Sequence, residues 1–376
     1  MSSPETASAL ALELRACVEA GKVIQLGGAF TKDRQGGPIP ASTTRISTSA
    51  LRRVLKYEPH DLTISVEAGL PWTELEDLLA ANGQMLPLDP PFAARATVGG
   101  VVASNCAGPR RRAYGSARDM VIGMTYATLQ GTLVPSGGMV VKNVAGLDLA
   151  KMLIGSLGTL AAITIVNFKV VPRPPARRAF ALAAANLKTL FQRRTEILAS
   201  VLQPSAIDIL NAASAERCGL ERVPHLLIDA AGSETVLRRF AAGLPDFSSI
   251  DDAVWKSVRE WIPAYLDSQP AGCIVRTSSK LSEMCAIMET FDGPSIARAG
   301  NGIVYAAFPT PEKTKEWLAA AKAPLAGTVV EFSPADASDG LTLWPDPGDA
   351  FPLMQRVKML YDPKALLNPG RYYGRL

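Results

Sequence analysis

The sequence predicts an α+β protein in which a glycine-rich first domain is followed by an α+β cap domain of ferredoxin-like units. Between positions 87 and 172, glycine and other small residues recur between apolar runs of strand length. Prolines and arginines then cluster at 172–178, as is typical of a domain boundary. Beyond them, strand-like and helix-like segments alternate. We therefore expect domains at 1–175 and 176–340, and a tail, 341–376, that packs back on the first domain.

The first domain is expected to open with a helix and a strand. Ser3 suits the cap of a helix with Pro4 at its first position, and Gly21 suits its end. A later helix is expected to start with Thr73 and Glu76 as a capping box. The other expected elements are strands at Lys22–Leu26, 44–48 and Leu62–Glu67, a turn or short helix from Thr97 to Asn105, a hairpin of Met120–Leu129 and Thr132–Pro135, a helix at Leu149–Ile154, and a strand at Leu160–Val171.

The second domain shows the same kind of alternation with few glycines and no loop suited to a cofactor. Its expected strands are Phe180–Ala184, Ala206–Leu210, Pro224–Asp229, Gly272–Thr277, Ser295–Arg298, Gly302–Phe308 and Gly327–Phe332. Its expected helices are Leu187–Leu202, Glu234–Ala242, Val254–Ile262, Leu281–Phe291 and Pro311–Ala321.

Composition argues against several classes of protein. A net charge of +4 and 6% aromatic residues do not predict nucleic-acid binding. Five scattered cysteines with no CxxC pair predict reduced thiols and no metal or iron–sulfur ligation by this chain. We find neither a secretory leader nor an apolar run long enough for a transmembrane segment. The expectation is a cytoplasmic protein, which partners can hold at a membrane.

The run GGAFTK at positions 27–32 follows the second predicted element, a strand, directly. Backbone N–H groups in such a turn can face a phosphate, although a Gly-Gly pair after a strand also forms ordinary turns. The glycine density of 87–172 indicates close approach of the backbone to a large, flat cofactor that carries a pyrophosphate. A Rossmann NAD site is disfavoured, because no GxGxxG follows a strand.

Three segments in order resemble one family. They are the early Gly-Gly loop; PLDP, TVGGVVASN and YGSARD between 87 and 119; and KNVAGLDL with GSLGTL between 142 and 160. This combination resembles the FAD-binding (PCMH-type) domain of the vanillyl-alcohol oxidase / p-cresol methylhydroxylase flavoprotein superfamily, as does the late run NPGR at 368–371. The short chain and the string GGMVVKNVAG resemble the FAD-binding E subunits of bacterial glycolate oxidases (glycolate dehydrogenases) within that superfamily.

The resemblance implies FAD as the cofactor, with the pyrophosphate facing Gly27, Gly28, Ala29 and Thr31. The residues implied to wrap the pyrophosphate, ribityl chain and ring are Pro90, Thr97, Gly99, Gly100, Ala103, Ser104 and Asn105. Tyr114, Gly115 and Asp119 belong to the following turn, and Gly158 and Ile163 to the adenosine side. Lys142 is a candidate for the positive charge near the flavin pyrimidine, or else a solvated lysine. Ala29-Phe30 and Leu147 depart from the pattern of relatives.

Histidine is scarce, since only His60 and His225 occur in the chain, both outside the glycine blocks. Relatives that bind FAD covalently use a His or Cys near the cofactor loops, so the resemblance implies non-covalent FAD. Relatives that oxidise 2-hydroxy acids directly use a His-rich cluster with a metal, which two isolated histidines cannot form. We therefore expect an electron-relaying subunit beside a catalytic flavin subunit and an iron–sulfur subunit, in a complex whose substrate is a small 2-hydroxy acid such as glycolate.

No catalytic residue is assigned from the sequence, but three weak candidates stand out. Arg110 begins a run of three arginines that suits a carboxylate clamp, a solvated loop or a docking surface. Lys142 and Arg371 are the other two, and C-terminal packing is an equal interpretation for Arg371. Two alternative functions stay open: a stand-alone FAD-dependent oxidase or dehydrogenase of a hydroxy acid or sugar alcohol, and a structural subunit whose FAD binding has decayed.

Overall fold

The computed structural model describes residues 1–37, 39–40, 43–139, 148–320, 327–335, 337, 341–374 and 376. The chain divides into two compact units. The first unit comprises Met1–Ala107, Gly115–Arg173 and Pro347–Leu376, and the second comprises Gly108–Tyr114 and Pro174–Asp346. Residues 108–114, which lie inside the first domain expected from the sequence, thus group with the second unit.

Helices and strands are interspersed along the whole described chain. Up to residue 173 they are α1 (Ala7–Glu19), β1 (Ile24–Gly27), β2 (Thr44–Ser47), β3 (Val54–Glu58), β4 (Thr63–Glu67), α2 (Trp72–Ala81), β5 (Gln84–Met85), α3 (Val98–Ser104), α4 (Arg111–Tyr114), α5 (Ala117–Met120), β6 (Val121–Ala127), β7 (Leu133–Gly137), α6 (Ala150–Leu153), β8 (Ala162–Lys169) and β9 (Val171–Pro172). They continue with β10 (Ala176–Ala183), α7 (Leu187–Ala199), β11 (Ala206–Leu210), α8 (Ala212–Arg217), β12 (His225–Gly232), α9 (Glu234–Gly243), β13 (Ser248–Ile250), α10 (Asp252–Arg259), α11 (Trp261–Ser268), β14 (Cys273–Ser278), α12 (Met284–Met288), β15 (Ser295–Arg298), β16 (Ile303–Phe308), α13 (Pro311–Ala320), β17 (Thr328–Phe332) and α14 (Phe351–Tyr361).

The first unit combines a small parallel pair with a larger antiparallel sheet. In the described residues, β1 pairs with β2 in parallel, and five strands form a sheet in the order β3-β4-β8-β6-β7. One apolar face of α1 carries Leu10 and Leu14, which pack with Ile24 of β1, Ile46 of β2 and Leu367 of the tail. This core fixes the end of β1, and therefore the loop that follows it.

The second unit is built on one sheet. In the described part of the chain, eight antiparallel strands follow the order β13-β10-β12-β11-β15-β16-β14-β17. The alternating apolar residues of β11 and β12, such as Ile207 and Ile228, pack against residues of α7 and α9, such as Leu190 and Phe240. The predicted α+β class and the alternation of strands and helices are confirmed.

Several local predictions were wrong. Helix α1 is capped by Thr6, whose hydroxyl accepts from Ala9 N at 3.1 Å, and not by Ser3. The reason is that Ser2 is held extended beside β2, with its N–H donating to Arg45 O. Helix α2 follows Pro71 without a side-chain cap, because its first N–H, that of Trp72, donates to Ala96 O. The Thr73–Glu76 capping box is therefore not formed.

Other differences concern short elements. The helix expected at Val254–Ile262 is two helices, α10 and α11, and the elements that were not predicted are β3, β5, α4, α5, α8 and β13. Within the described residues, no helix is both long enough and apolar enough to cross a membrane.

Candidate cofactor-binding site

The loop after β1 has a row of backbone N–H groups that no described residue accepts from. Strand pairing stops at Gly27, whose carbonyl accepts from Thr48 N at 2.9 Å, and the Ser47 hydroxyl donates to Gly28 O at 2.8 Å. The N–H groups of residues 28–31 donate to no residue in the described part of the chain. Phe30 has a positive φ of 55°. Successive free N–H groups in such a curved backbone form a concave site for anions.

Helix α3 lies directly against this loop. A Cβ on Gly28 would come within 2.0 Å of the Thr97 hydroxyl oxygen, so only glycine fits there. Thr97 caps α3 by accepting from Gly100 N at 3.3 Å. On the other side, a Cβ on Gly99 would lie 2.8 Å from the Ala68 Cβ. The two glycine blocks that the sequence singled out therefore meet in space.

The loop and α3 form part of an open cleft within the first unit. Its empty volume, including solvent at the mouth, is about 740 Å³, which lies in the range of small-molecule sites. The residues expected at a cofactor that line it are Gly27, Gly28, Ala29, Thr31, Thr97, Gly99, Gly100, Ala103, Ser104, Gly158 and Ile163, together with Arg371. Phe30, Lys32, Leu157 and Asn368 were noted in the sequence as members of the runs GGAFTK, GSLGTL and NPGR, and sequence reasoning missed Leu26, Asp33, Gln35, Thr48 and Ala161.

The remaining expected residues lie elsewhere. Pro90 and Asn105 do not line the cleft, although Asn105 ends α3 with a left-handed φ of 47°. Asp119 accepts from Ser116 N at 2.8 Å and so caps α5, and Gly115 lies against it with a φ of 86°. Tyr114 belongs to the second unit.

Of the three weak catalytic candidates, Arg371 alone lines the cleft. Arg110 belongs to the second unit, as does its neighbour Arg112, whose guanidinium donates to Gly300 O at 3.3 Å. Lys142 lies outside the described residues, and so does Leu147. A role for these residues at the flavin stays a prediction.

The tail holds both walls of the cleft through buried side chains. The Asn368 amide donates to Leu26 O at 3.1 Å, Leu157 O at 3.0 Å and Gly158 O at 3.2 Å, and its oxygen accepts from Leu26 N at 2.8 Å. The Arg371 guanidinium donates to three carbonyls of the loop, those of Asp33, Gln35 and Gly37. The loop after β1 and the opposite wall of the cleft are thus held by tail residues that lie more than 200 positions away in the sequence.

The cleft is lined by charged side chains of both signs, and burial shifts the pKa of two of them. Burial lowers the pKa of the Arg371 guanidinium to about 10, against the favourable charge of Asp33. Burial also raises the pKa of the Asp33 carboxyl, although Arg45, its ion-pair partner, opposes that shift. Arg45 stacks on the Phe30 ring at 3.9 Å from its centroid, and Lys32 lies 5.7 Å from the centroid of Phe92. Two basic side chains, Lys32 and Arg371, line the cleft together with the N–H groups of residues 28–31.

These features fit a dinucleotide with a pyrophosphate, and comparisons with known proteins agree. A family model described as an FAD-binding domain matches residues 2–137. Among solved structures, 4-ethylphenol oxidase from Gulosibacter chungangensis superposes with a TM-score of 0.75 at 14% identity, over 99% of this chain and 89% of that one. The structure of p-cresol methylhydroxylase with bound substrate superposes with a TM-score of 0.73 at 13% identity, over 100% of this chain and 88% of that one. The chain is an FAD-dependent oxidoreductase by its FAD-binding domain and its oxidoreductase relatives, and its fold is the one that these two structures share.

Sequence relatives identify the family within this class. Glycolate oxidase subunit GlcE of Escherichia coli K12 is 31% identical over 352 residues, which are 93% of this chain and 92% of that protein. The chain belongs to the family of this glycolate oxidase subunit. Glycolate oxidase subunit GlcD of Bacillus subtilis is 29% identical over 161 residues, and the matched region spans only 34% of that longer relative.

Proposed function

We propose that this protein is the FAD-carrying subunit of a complex that oxidises glycolate or a similar small 2-hydroxy acid. In this proposal it binds FAD without a covalent bond and relays electrons beside a catalytic flavin subunit and an iron–sulfur subunit. The observation that carries the proposal is the row of N–H groups at residues 28–31, which have no acceptor among the described residues and lie in the cleft of a chain whose relative is a glycolate oxidase subunit.

Different residues of the cleft would contact different parts of FAD. The N–H groups of residues 28–31 would bind the pyrophosphate, with Lys32 and Arg371 supplying positive charge nearby. Gly99 and Gly100 of α3 let the backbone approach closely, while Gly158 and Ile163 form the opposite wall. Bound FAD supplies a carrier of one or two electrons. The protein itself binds and orients it.

Non-covalent binding is supported by the composition of the cleft. Among its lining residues in the described chain, none is His or Cys, the two side chains expected to form a covalent link. His60 lies in a short 3₁₀ helix of the first unit, and His225 lies on β12 of the second, with Nδ1 2.7 Å from Val223 O. This dispersal supports a catalytic site for the hydroxy acid on another subunit.

Purification of the full chain tests cofactor binding first. We expect a yellow protein with about one FAD per chain, and we expect acid precipitation to leave all the flavin in the supernatant. Flavin that stays with the precipitated protein would disprove non-covalent binding. A colourless chain whose absorbance and melting temperature do not respond to added FAD would instead support the structural-subunit alternative.

Anaerobic reduction tests the relay role. We expect glycolate or D-lactate to leave the flavin of this chain oxidised when the chain is alone, and to bleach it once the co-expressed catalytic and iron–sulfur subunits are present. Bleaching by the chain alone would establish a stand-alone dehydrogenase. Photoreduction of the flavin serves as the control that it is competent to accept electrons.

A further inference from the structure

Helix α14 buries a lysine as well as Phe351 and exposes three large apolar side chains. Its inner face buries Lys358, whose ammonium donates to Thr159 O and Leu367 O at 2.8 Å and pairs with the buried Asp362 carboxylate at 2.8 Å. Its outer face instead carries Leu353, Met359 and Leu360, which are 58%, 57% and 78% exposed. A surface helix normally buries its apolar side chains and exposes its charges. The fold of the described chain therefore gives these apolar residues no role.

The exposed residues form one patch. At 100° per residue, Leu353, Arg356 and Leu360 fall on a single stripe, and Met359 lies beside it. We call these four residues the α14 outer face. In the described part of the chain, every other helix exposes at most one large apolar side chain. Clustered exposed apolar residues with a central arginine are typical of protein interfaces.

We propose that the α14 outer face is the docking surface for another subunit of the oxidising complex, which presents an apolar groove with a carboxylate that pairs with Arg356. This inference rests on the proposed function. Charge argues against a second copy as the occupant. A twofold pairing of the same patch would bring Arg356 close to Arg356 of the other copy, at the centre of the interface. Like charges at that point repel, whereas a carboxylate on a different partner is complementary.

The position of α14 connects this surface to the cofactor cleft. Lys358 on its inner face holds the carbonyls of Thr159 and Leu367, the neighbours of Gly158 and Asn368 in the cleft. A subunit docked on α14 would thus lie on an element that is anchored to one wall of the cleft. This placement suits a partner that exchanges electrons with the bound cofactor.

Two outer-face variants test the surface in the full complex. The chain is co-expressed with the catalytic flavin and iron–sulfur subunits as wild type, Leu360→Glu or Arg356→Glu, and captured by a tag. We expect each variant to recover at least tenfold less of the partner subunits than wild type, with an unchanged FAD content per chain. Val236→Glu and Arg238→Glu place matched changes on α9 of the second unit, where Val236 is 38% exposed, and should recover partners as wild type does.

The alternatives give different results. Full recovery of the partners by both outer-face variants would overturn the proposal. A dimer formed by the wild-type chain alone, and lost in the variants, would also overturn it, because the occupant would then be a second copy. Arg356→Lys should keep much of the recovery that Arg356→Glu loses, since it retains the charge. A wild-type chain that retains FAD but captures neither partner would refute both the complex and this surface, whereas unaffected capture by the variants refutes the surface alone.

Discussion

Asn368 is the residue that links the two walls of the cleft. Its buried amide forms four hydrogen bonds, two with Leu26 on the β1 side and one each with Leu157 and Gly158 on the other. Its φ of 43° lies in the left-handed region, which asparagine tolerates better than most residues. Both the side chain and the backbone conformation therefore favour asparagine here.

Replacing Asn368 separates these two contributions. Asn368→Ala removes the hydrogen bonds and leaves buried partners unsatisfied, so we expect a loss of about 3 kcal/mol in the free energy of unfolding. Asn368→Gly removes the same bonds but relieves the left-handed backbone, so its loss should be about 1 kcal/mol smaller. Urea unfolding of the FAD-free protein measures both.

The control for Asn368 is Asn82→Ala. Asn82 is an exposed residue at the end of α2, whose amide donates to Leu78 O. Its replacement should cost no more than about 0.5 kcal/mol. Equal losses for Asn82→Ala and Asn368→Ala would contradict the role assigned to Asn368.

Ala29 offers a direct test of the anion loop, because its side chain is exposed while the neighbouring N–H groups are free. Ala29→Asp places a carboxylate where the pyrophosphate of FAD is proposed to bind. We expect at least a roughly tenfold increase in the Kd for FAD, with little change in the melting temperature of the FAD-free protein. Titration followed by flavin fluorescence measures the Kd.

A matched alanine lies in the same unit. Ala9 is exposed in the first turn of α1, where a carboxylate is favourable beside the helix N-terminus. Ala9→Asp should bind FAD as wild type does. If Ala29→Asp also binds FAD with unchanged affinity, the pyrophosphate does not lie at residues 28–31.

At the scale of elements, most helix and strand locations followed from the sequence pattern, whereas helix starts and several short elements did not. Helix α1 and strands such as β11 and β16 lie where the sequence predicted a helix and strands. The start of α1 was misplaced because Ser3 and Thr6 are both good caps, and long-range pairing of Ser2 with β2 decided between them. Local sequence does not contain that contact.

The short helix α5 gives a prediction that depends on pH. Its capping box joins Ser116 and Asp119, and the hydrogen bond from Ser116 N lowers the pKa of the Asp119 carboxyl. A carboxyl with a lowered pKa in the folded state adds stability above its unfolded pKa of about 3.9, and that stability is lost as pH falls below it. Since Asp119 is exposed, we expect Asp119→Asn to cost only about 0.5–1 kcal/mol at pH 7.

That difference should shrink as pH falls from 5 to 3, because the wild-type carboxylate becomes protonated. Urea unfolding of both proteins at several pH values measures it. Asp349→Asn, at an exposed site before α14, serves as the control and should follow the wild-type curve. A cost for Asp119→Asn that is the same at pH 3 and pH 7 would rule out the charged cap.

The cleft was predicted in part, and the missing part has a physical explanation. Glycine pairs in sequence indicated the two segments that need close approach, 27–31 and 97–104, and both line the cleft. Asn368 was recognised only as part of a motif, and Arg371 was also a weak catalytic candidate with C-terminal packing as an equal interpretation. Nothing local shows which loop, more than 300 residues earlier, a tail residue will contact. Phe30 was noted as a departure, yet its ring stacks under Arg45 beside the cleft.

At the scale of the whole molecule, all described residues of the cleft belong to the first unit. Ligand that binds only the folded state stabilises it by about 2.7 kcal/mol at 100 times Kd. Hydrogen exchange should therefore slow most in the first unit when FAD is added. Amides of the first unit that exchange only through its unfolding should slow by roughly a hundredfold.

The amides of residues 28–31 provide the sharpest readout, because they have no acceptor in the described chain and should exchange fast without FAD. Bound to a pyrophosphate, they should become protected, whereas α9 on the second unit should change little. Mass spectrometry of peptides covering 24–37 and 234–243, with and without FAD, measures both. Slowed exchange elsewhere in the first unit with no protection of 28–31 would place the cofactor in the same cleft but assign its phosphates to other donors.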